Sequence, residues 1–420
     1  MVNSNFNNLV CFKEKPVETN VSRTRLFIDF LMSVFIVVSI FPAFSSVATE
    51  VSLGIFIILC PLLLSKSSRI SYSTKKHCVL LAIFLIVVLF YYVTGISNSF
   101  FSIVGNYLDW ALGIFLCCFT YETSTKKEKN YFLSFCFIVF NLSMLIVLMQ
   151  SKKYVGIELS DVANASYSTF IMLFSGSCII YLLNGKGRIV KLFVLGSLFL
   201  STYLNFFILQ RGTNIVLTLL MLLLILIFKV KSKFLRTIFI IAIVSFAFVL
   251  YNSNLIDNLF SYLSSKFDVI RIQERVYTIL NFLKSGDYQN AGVRSFSYRI
   301  EYFFNSLKSF GKRPFFGVGD HRESYEIIGN HSEIIDNFGR YGVVGGIVFL
   351  SIIVYHISFL WKKNVLINKS ILLQITVIPI IFIMRNLTGV AIGSAFGILF
   401  FIFIPAEIDL FINQRVVKKR

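Results

Sequence analysis

Charge is scarce in this chain: Asp, Glu, Lys and Arg make up 15% of its 420 residues, against 56% hydrophobic residues. So little charge cannot clothe the surface of ordinary globular domains, which excludes a water-soluble fold. Acidic residues are rarer than basic ones, 21 against 40, leaving a net charge of +19. None of the seven cysteines falls within 252–340, so neither a disulfide nor thiolate or zinc chemistry is expected there. A Walker-type phosphate loop is missing, and GVGDH (Gly317 to His321) follows no parallel strand, which argues against a nucleotide fold. No repeat of fixed period, low-complexity linker or appended soluble domain interrupts the chain. Residues 1–25 are polar and lack a small-residue cleavage site, so a cytoplasmic tail is expected rather than a signal peptide.

What the chain does have is apolar runs. About twelve approach the ~20 residues a membrane helix needs. They lie near 26–44, 47–64, 78–96, 101–121, 131–150, 166–183, 189–209, 212–228, 234–251, 342–361, 371–383 and 390–411. The expected fold is an all-α polytopic membrane protein of about 12 helices with one large periplasmic loop containing amphipathic helices. Lys and Arg recur at alternate loops, as at Arg23 and Arg25, Lys75 and Lys76, Lys229 and Lys231, and Lys362 and Lys363. By the positive-inside rule both termini are cytoplasmic, so the surplus charge reports topology and not nucleic-acid binding. The domains expected are a tail at 1–25, nine helices within 26–251, the outer loop at 252–340, three helices within 341–411 and a tail at 412–420.

Between 252 and 336 charge is balanced, ten Lys and Arg against ten Asp and Glu. Apolar spacing over 262–283 predicts an amphipathic helix, and a second helix is expected at 296–310. Gly311, Pro314, Gly317 and Gly319 then predict a tight loop.

His331, in GNHSEIID, is the first candidate for chemistry, because imidazole takes and gives protons near neutral pH. The other reading is a loop histidine bonded to backbone. His77 and His356 belong to the cytoplasmic margin and a membrane helix. Arg294 and Arg299 offer forked donors matched to phosphate oxygens, or serve as solvated charges beside Glu301. Arg211 stands between two apolar runs at a membrane edge, where an ionised side chain is functional or a snorkelling anchor. Arg385 invites the same argument, and Glu50 and Asp109 are buried-charge candidates. Asp320, Glu323, Glu326, Glu333 and Asp336 match no metal signature; they are expected to be solvated or paired with Arg313, Arg322 and Arg340.

Taken in order, Gln210-Arg211-Gly212, Arg299 in YRIEYF, Pro-x-x-Gly-x-Gly (Pro314 to Gly319), His331-Ser332 and Gly-x-x-Gly (Gly342 to Gly345) resemble the bacterial O-antigen polymerase and O-antigen ligase superfamily. These motifs cover about a third of the chain. The resemblance implies inverting, metal-independent glycosyl transfer between undecaprenyl-pyrophosphate-linked sugars at the periplasmic face of the bacterial inner membrane. It implies no cofactor and no metal. It also implies lipid-linked donor and acceptor as partners within the bilayer, together with a chain-length regulator and a flippase, and no nucleic acid. Arg211 and Arg299 would match the diphosphate-binding arginines and His331 the residue that activates the acceptor hydroxyl. Arg294, Arg385, Arg313 and Tyr302 would add to substrate binding. Ligases commonly carry His-Asn where this chain has His331-Ser332, and HSEIIDNFGRYG is more similar to the polymerases. The polymerase is the expectation and the ligase its alternative. A flippase for lipid-linked sugars would need polar groups through the bilayer midplane, whereas ionisable residues here gather outside it.

Overall fold

A segment that crosses hydrocarbon must satisfy every backbone N–H and C=O internally, and a helix does so by itself. The computed structural model describes residues 23–41, 47–64, 72–94, 126–153, 165–209, 212–230, 234–241, 294–319, 326–364, 369–388 and 398–419, with a few isolated positions between them. Nearly all of these are helical. In chain order the helices are α1 (Arg23–Ile40), α2 (Ala48–Leu64), α3 (Tyr72–Val93), α4 (Lys126–Lys153), α5 (Ala165–Asn184) and α6 (Arg188–Tyr203). They continue with α7 (Gly212–Lys229), α8 (Arg294–Lys312), α9 (Glu333–Asn364), α10 (Lys369–Thr388) and α11 (Ile404–Lys419). Residues 234–241 form a short helical stretch.

Six helices among the described residues are long and apolar enough to cross a bilayer, with spans of 18 to 29 residues. At about 1.5 Å per residue the shortest covers ~27 Å, close to a ~30 Å hydrocarbon layer. Shorter apolar stretches lie in α1, α2 and α7. The chain is a helical membrane protein. The expected span at 101–121 lies largely outside the described residues, as do most of 242–251 in the span at 234–251, the expected helix at 262–283, Asp109 and the start of the span at 390–411.

α5 packs against α6, α7 and α10; α10 packs on α7; and α9 lies between α3 and α8. Phenylalanine fills the seams: Phe140 meets Phe170 at 4.8 Å and Phe403 at 5.2 Å between ring centres, and Phe382 meets Phe400 at 4.8 Å. Lipid-facing positions are equally apolar, as at Leu192, Phe193 and Phe199 of α6. Burial of apolar area therefore does not select which faces pair, and polar contacts do. The Asn214 amide donates to the Ser168 hydroxyl at 2.6 Å, Asn205 donates to Thr218 at 2.6 Å, and Ser175 donates to Ser201 at 2.9 Å, tying α5, α6 and α7 together. Asn205 lies in a π-helical segment (Leu204–Ile208) that continues α6, where the Leu209 N–H reaches back to the Leu204 carbonyl at 2.8 Å. Replacing Asn214 by Ala is expected to lower stability by about 0.6–2 kcal/mol, read as an earlier thermal unfolding midpoint of the detergent-solubilised protein.

One reading of the sequence changes. Glu50 is exposed in the first turn of α2, where its charge meets the positive end of the helix dipole; it is not a buried charge. His77, near the start of the span Lys75–Val93, and His356, inside the span Glu333–Trp361, lie where expected, but both are buried and paired, with His356 Nδ1 3.3 Å from His77 Nε2 and His356 Nε2 3.1 Å from the Phe400 carbonyl. A carbonyl only accepts, so His356 Nε2 carries the proton, and in the neutral pair His356 Nδ1 accepts from His77.

Candidate functional site at the head of α9

The expected second loop helix is present as α8, two residues longer at each end than 296–310. α9 was expected to enter at Gly342, yet helix begins at Glu333 and is broken at Gly342, which has φ 62° and ψ −160°. That backbone region is open essentially to glycine alone. The break removes two helical hydrogen bonds, leaving the Val343 and Val344 N–H groups without the Gly339 and Arg340 carbonyls as acceptors. The loop after α8 replaces both. Val343 donates to the Pro314 carbonyl at 2.7 Å and Val344 to the Phe315 carbonyl at 3.5 Å. In return Val318 donates to the Gly339 carbonyl at 3.0 Å and Gly319 to the Arg340 carbonyl at 2.9 Å. Pro-x-x-Gly-x-Gly and Gly-x-x-Gly are thus two halves of one device, in which a loop takes the place of a missing helical turn. Gly317, with φ 69°, faces the Arg340 carbonyl so closely that a Cβ would collide with it. Tyr91 of α3 closes the corner, its hydroxyl lying against the carbonyls of Phe316 and Tyr341.

Above this break the nine residues from Glu333 to Tyr341 carry a polar face at helical spacing: Glu333, Asp336, Asn337 and Arg340, all buried. Ser332 caps the helix. Its hydroxyl receives the Ile335 N–H at 3.4 Å, while Asp336 Oδ2 accepts the Ser332 N–H at 2.9 Å, a reciprocal arrangement like a capping box. Asp336 Oδ1 accepts from the Ser306 hydroxyl of α8 at 2.6 Å, and Ser306 accepts the Gly329 N–H at 2.9 Å. One buried carboxylate therefore holds α8, the 326–332 loop and the start of α9 in register. Asp336→Ala is expected to cost about 1.5–3 kcal/mol, the worth of a hydrogen bond to a charged group; Asp336→Asn, which keeps one acceptor oxygen, should cost less. Thermal unfolding of both variants in detergent checks this.

His331 sits on that frame and is partly exposed. Its Nδ1 is 2.8 Å from the Asn330 carbonyl. Because the carbonyl only accepts, Nδ1 carries the proton, and in the neutral imidazole Nε2 then holds the lone pair, which is the tautomer of a base. Asn330 holds a left-handed φ of 55°, the only non-glycine residue to do so among the described residues, and its side-chain oxygen accepts from the Arg340 guanidinium. Tyr302 of α8 presents its ring edge-on to His331 at 5.0 Å and stacks on Tyr298 at 6.0 Å. Ser332 donates to the Asn386 carbonyl at 3.3 Å, which brings the end of α10, with the buried Arg385, against the residue following His331.

The structure thus brings two sequence candidates, His331 and Tyr302, together at one corner, with the backbone next to Arg385 bonded to Ser332 beside them. Arg313 is exposed on the loop beyond α8. Arg294 and Arg299 fall within α8, but their side chains lie outside the described residues, as does Arg211 entirely. Asp320, Glu323 and Arg322 are outside them too. Glu333 and Asp336 are not solvated: Glu333 accepts from the Asn337 amide at 3.2 Å, and Asp336 is held as above. Among the described residues no three His, Cys, Asp or Glu side chains gather as a metal site would require. Arg340 and Asn330 were passed over as site residues. The signal for Arg340 was available, since Glu333, Asn337 and Arg340 recur at i, i+4 and i+7.

Comparison with protein-family models gives no match, and comparison with curated proteins gives none either.

Proposed function

We propose that this chain is a glycosyltransferase of the bacterial inner membrane. It joins undecaprenyl-pyrophosphate-linked repeat units of O-antigen, or a related surface polysaccharide, at the periplasmic face. The observation that carries the reading is the corner where His331, in the tautomer of a base, meets the Tyr302 ring, with the buried Arg340 bonded to the adjoining Asn330. The motif resemblance and the positive-inside charge pattern support it, with about twelve spans and both termini in the cytoplasm.

In this reading the acceptor hydroxyl attacks the anomeric carbon of the donor sugar and loses its proton to His331 Nε2. The bond from that carbon to the pyrophosphate oxygen breaks, and the departing pyrophosphate takes the electron pair. A single displacement of this kind inverts the anomeric centre. Arg211 and Arg299, with Arg294, Arg313 and Arg385, supply the fixed positive charge that a departing diphosphate requires. Tyr302 offers an aromatic edge to a sugar ring.

The test is the lipopolysaccharide banding of a strain lacking the protein, with and without the wild-type or His331→Ala chain restored. Core bearing one repeat unit and no ladder supports the polymerase, and failure of His331→Ala to rebuild the ladder ties His331 to the activity. Bare core with polymer retained on the lipid carrier identifies a ligase instead. An unchanged ladder overturns both.

A further inference from the structure

The loop that replaces the missing turn of α9 exposes two adjacent phenylalanines, Phe315 at 69% and Phe316 at 61%. Apolar rings this exposed are costly in water and call for a covering phase. Their backbone is tied to one span near its end and to a second at its break. The Phe316 carbonyl accepts from Tyr91, two residues before the span Lys75–Val93 ends, and the Phe315 carbonyl accepts from Val344, just beyond the break in α9. Below Phe315, Val344 and Ile347 are exposed at 44% and 51%, one helical step apart, so the apolar surface continues from the loop onto the spanning part of α9. Beside the rings, Lys312 and Arg313 are exposed, and Lys312 continues an exposed face of α8 through Lys308. Aromatic rings with flanking cations at the end of a span have the composition of a membrane interface, and the cations match phosphate headgroups.

We propose that Phe315 and Phe316, flanked by Lys312 and Arg313, form a wedge seated in the interfacial layer of a bilayer containing anionic phospholipid. The wedge sets the depth of α8 and of the His331 corner relative to the membrane. This rests on the chain's being a helical membrane protein; it shares Arg313 with the glycosyl-transfer reading, and its test measures ring depth and lipid preference rather than transfer.

The experiment places the full chain carrying Phe316→Trp in nanodiscs and takes the difference in emission from the unsubstituted protein, which contains Trp110 and Trp361. The added emission is expected to be blue-shifted, quenched by phospholipid brominated high on its acyl chains and little affected by acrylamide. At equal mole fraction, brominated phosphatidylglycerol should quench more than brominated phosphatidylcholine, and Lys312→Gln with Arg313→Gln should remove that preference. Quenching by acrylamide alone would show the ring in water and overturn the wedge. Shielding from both quenchers would show a protein cover and overturn it equally. Equal quenching by the two lipids would overturn the anionic preference. Phe315→Trp gives the same readout if the Phe316 variant does not fold.

Discussion

His331→Ala is expected to lower the rate of repeat-unit joining by about 10²–10⁴-fold, the range for removing a positioned acid or base. The measurement is conversion of lipid-linked repeat units by the purified chain in nanodiscs, with thermal unfolding recorded on the same sample. The more discriminating variant is His331→Gln. Its amide N–H can still donate to the Asn330 carbonyl that His331 Nδ1 meets at 2.8 Å, so the loop keeps its anchor. Gln has no basic nitrogen, however, and the rate should stay as low as in His331→Ala. Recovery of wild-type rate by Gln would mean that His331 only orients the loop. Arg340 bonds the neighbouring Asn330, so Arg340→Met should loosen the same loop and lower the unfolding midpoint, which His331→Gln should not.

Gly342→Ala is expected to be severely damaging. At φ 62° and ψ −160° an L side chain is strained by about 1–3 kcal/mol, and the added Cβ would run into the Phe315 carbonyl. That carbonyl is fixed by the Val344 N–H and cannot retreat without breaking the exchange of backbone bonds between the loop and α9. The loss should therefore exceed the strain alone. It should appear as a chain that is inserted but aggregates on detergent extraction, measured by size-exclusion profile against wild type. Gly54→Ala is the control, because nothing lies within 4 Å of a Cβ there. Equal behaviour of the two variants would refute the device inferred at the head of α9.

Much of the fold was legible because the bilayer imposes a length rule on apolar runs. α3, α4, α5 and α10 lie close to the runs that composition marks at 78–96, 131–150, 166–183 and 371–383. α8 was legible for a different reason: its residues recur at helical spacing before a glycine and proline cluster. The start of α9 was not. EIIDNFGR is rich in polar residues and reads as loop, whereas its polar residues are buried, with Asp336 held by Ser306, Asn337 by Glu333 and Arg340 by Asn330. Hydropathy counts polarity but cannot see a partner. The same blindness hid the His77 and His356 pair, 279 residues apart in sequence.

The sequence by itself determined that this is a membrane protein of helices, that its longest polar interruption lies between 252 and 340, and that His331 belongs among the candidates. Those conclusions rest on composition and local period, properties that each segment carries alone. Only the tertiary structure decided that the two glycine motifs interlock, that Asp336 registers α8 against α9, and that Arg340 bonds the residue preceding His331. Each of those rests on hydrogen bonds between residues 10 to 30 positions apart, beyond the reach of a single helical turn. Between helices that are apolar inside and out, such bonds and the close approach of glycine to backbone select one packing among many of similar hydrophobic worth.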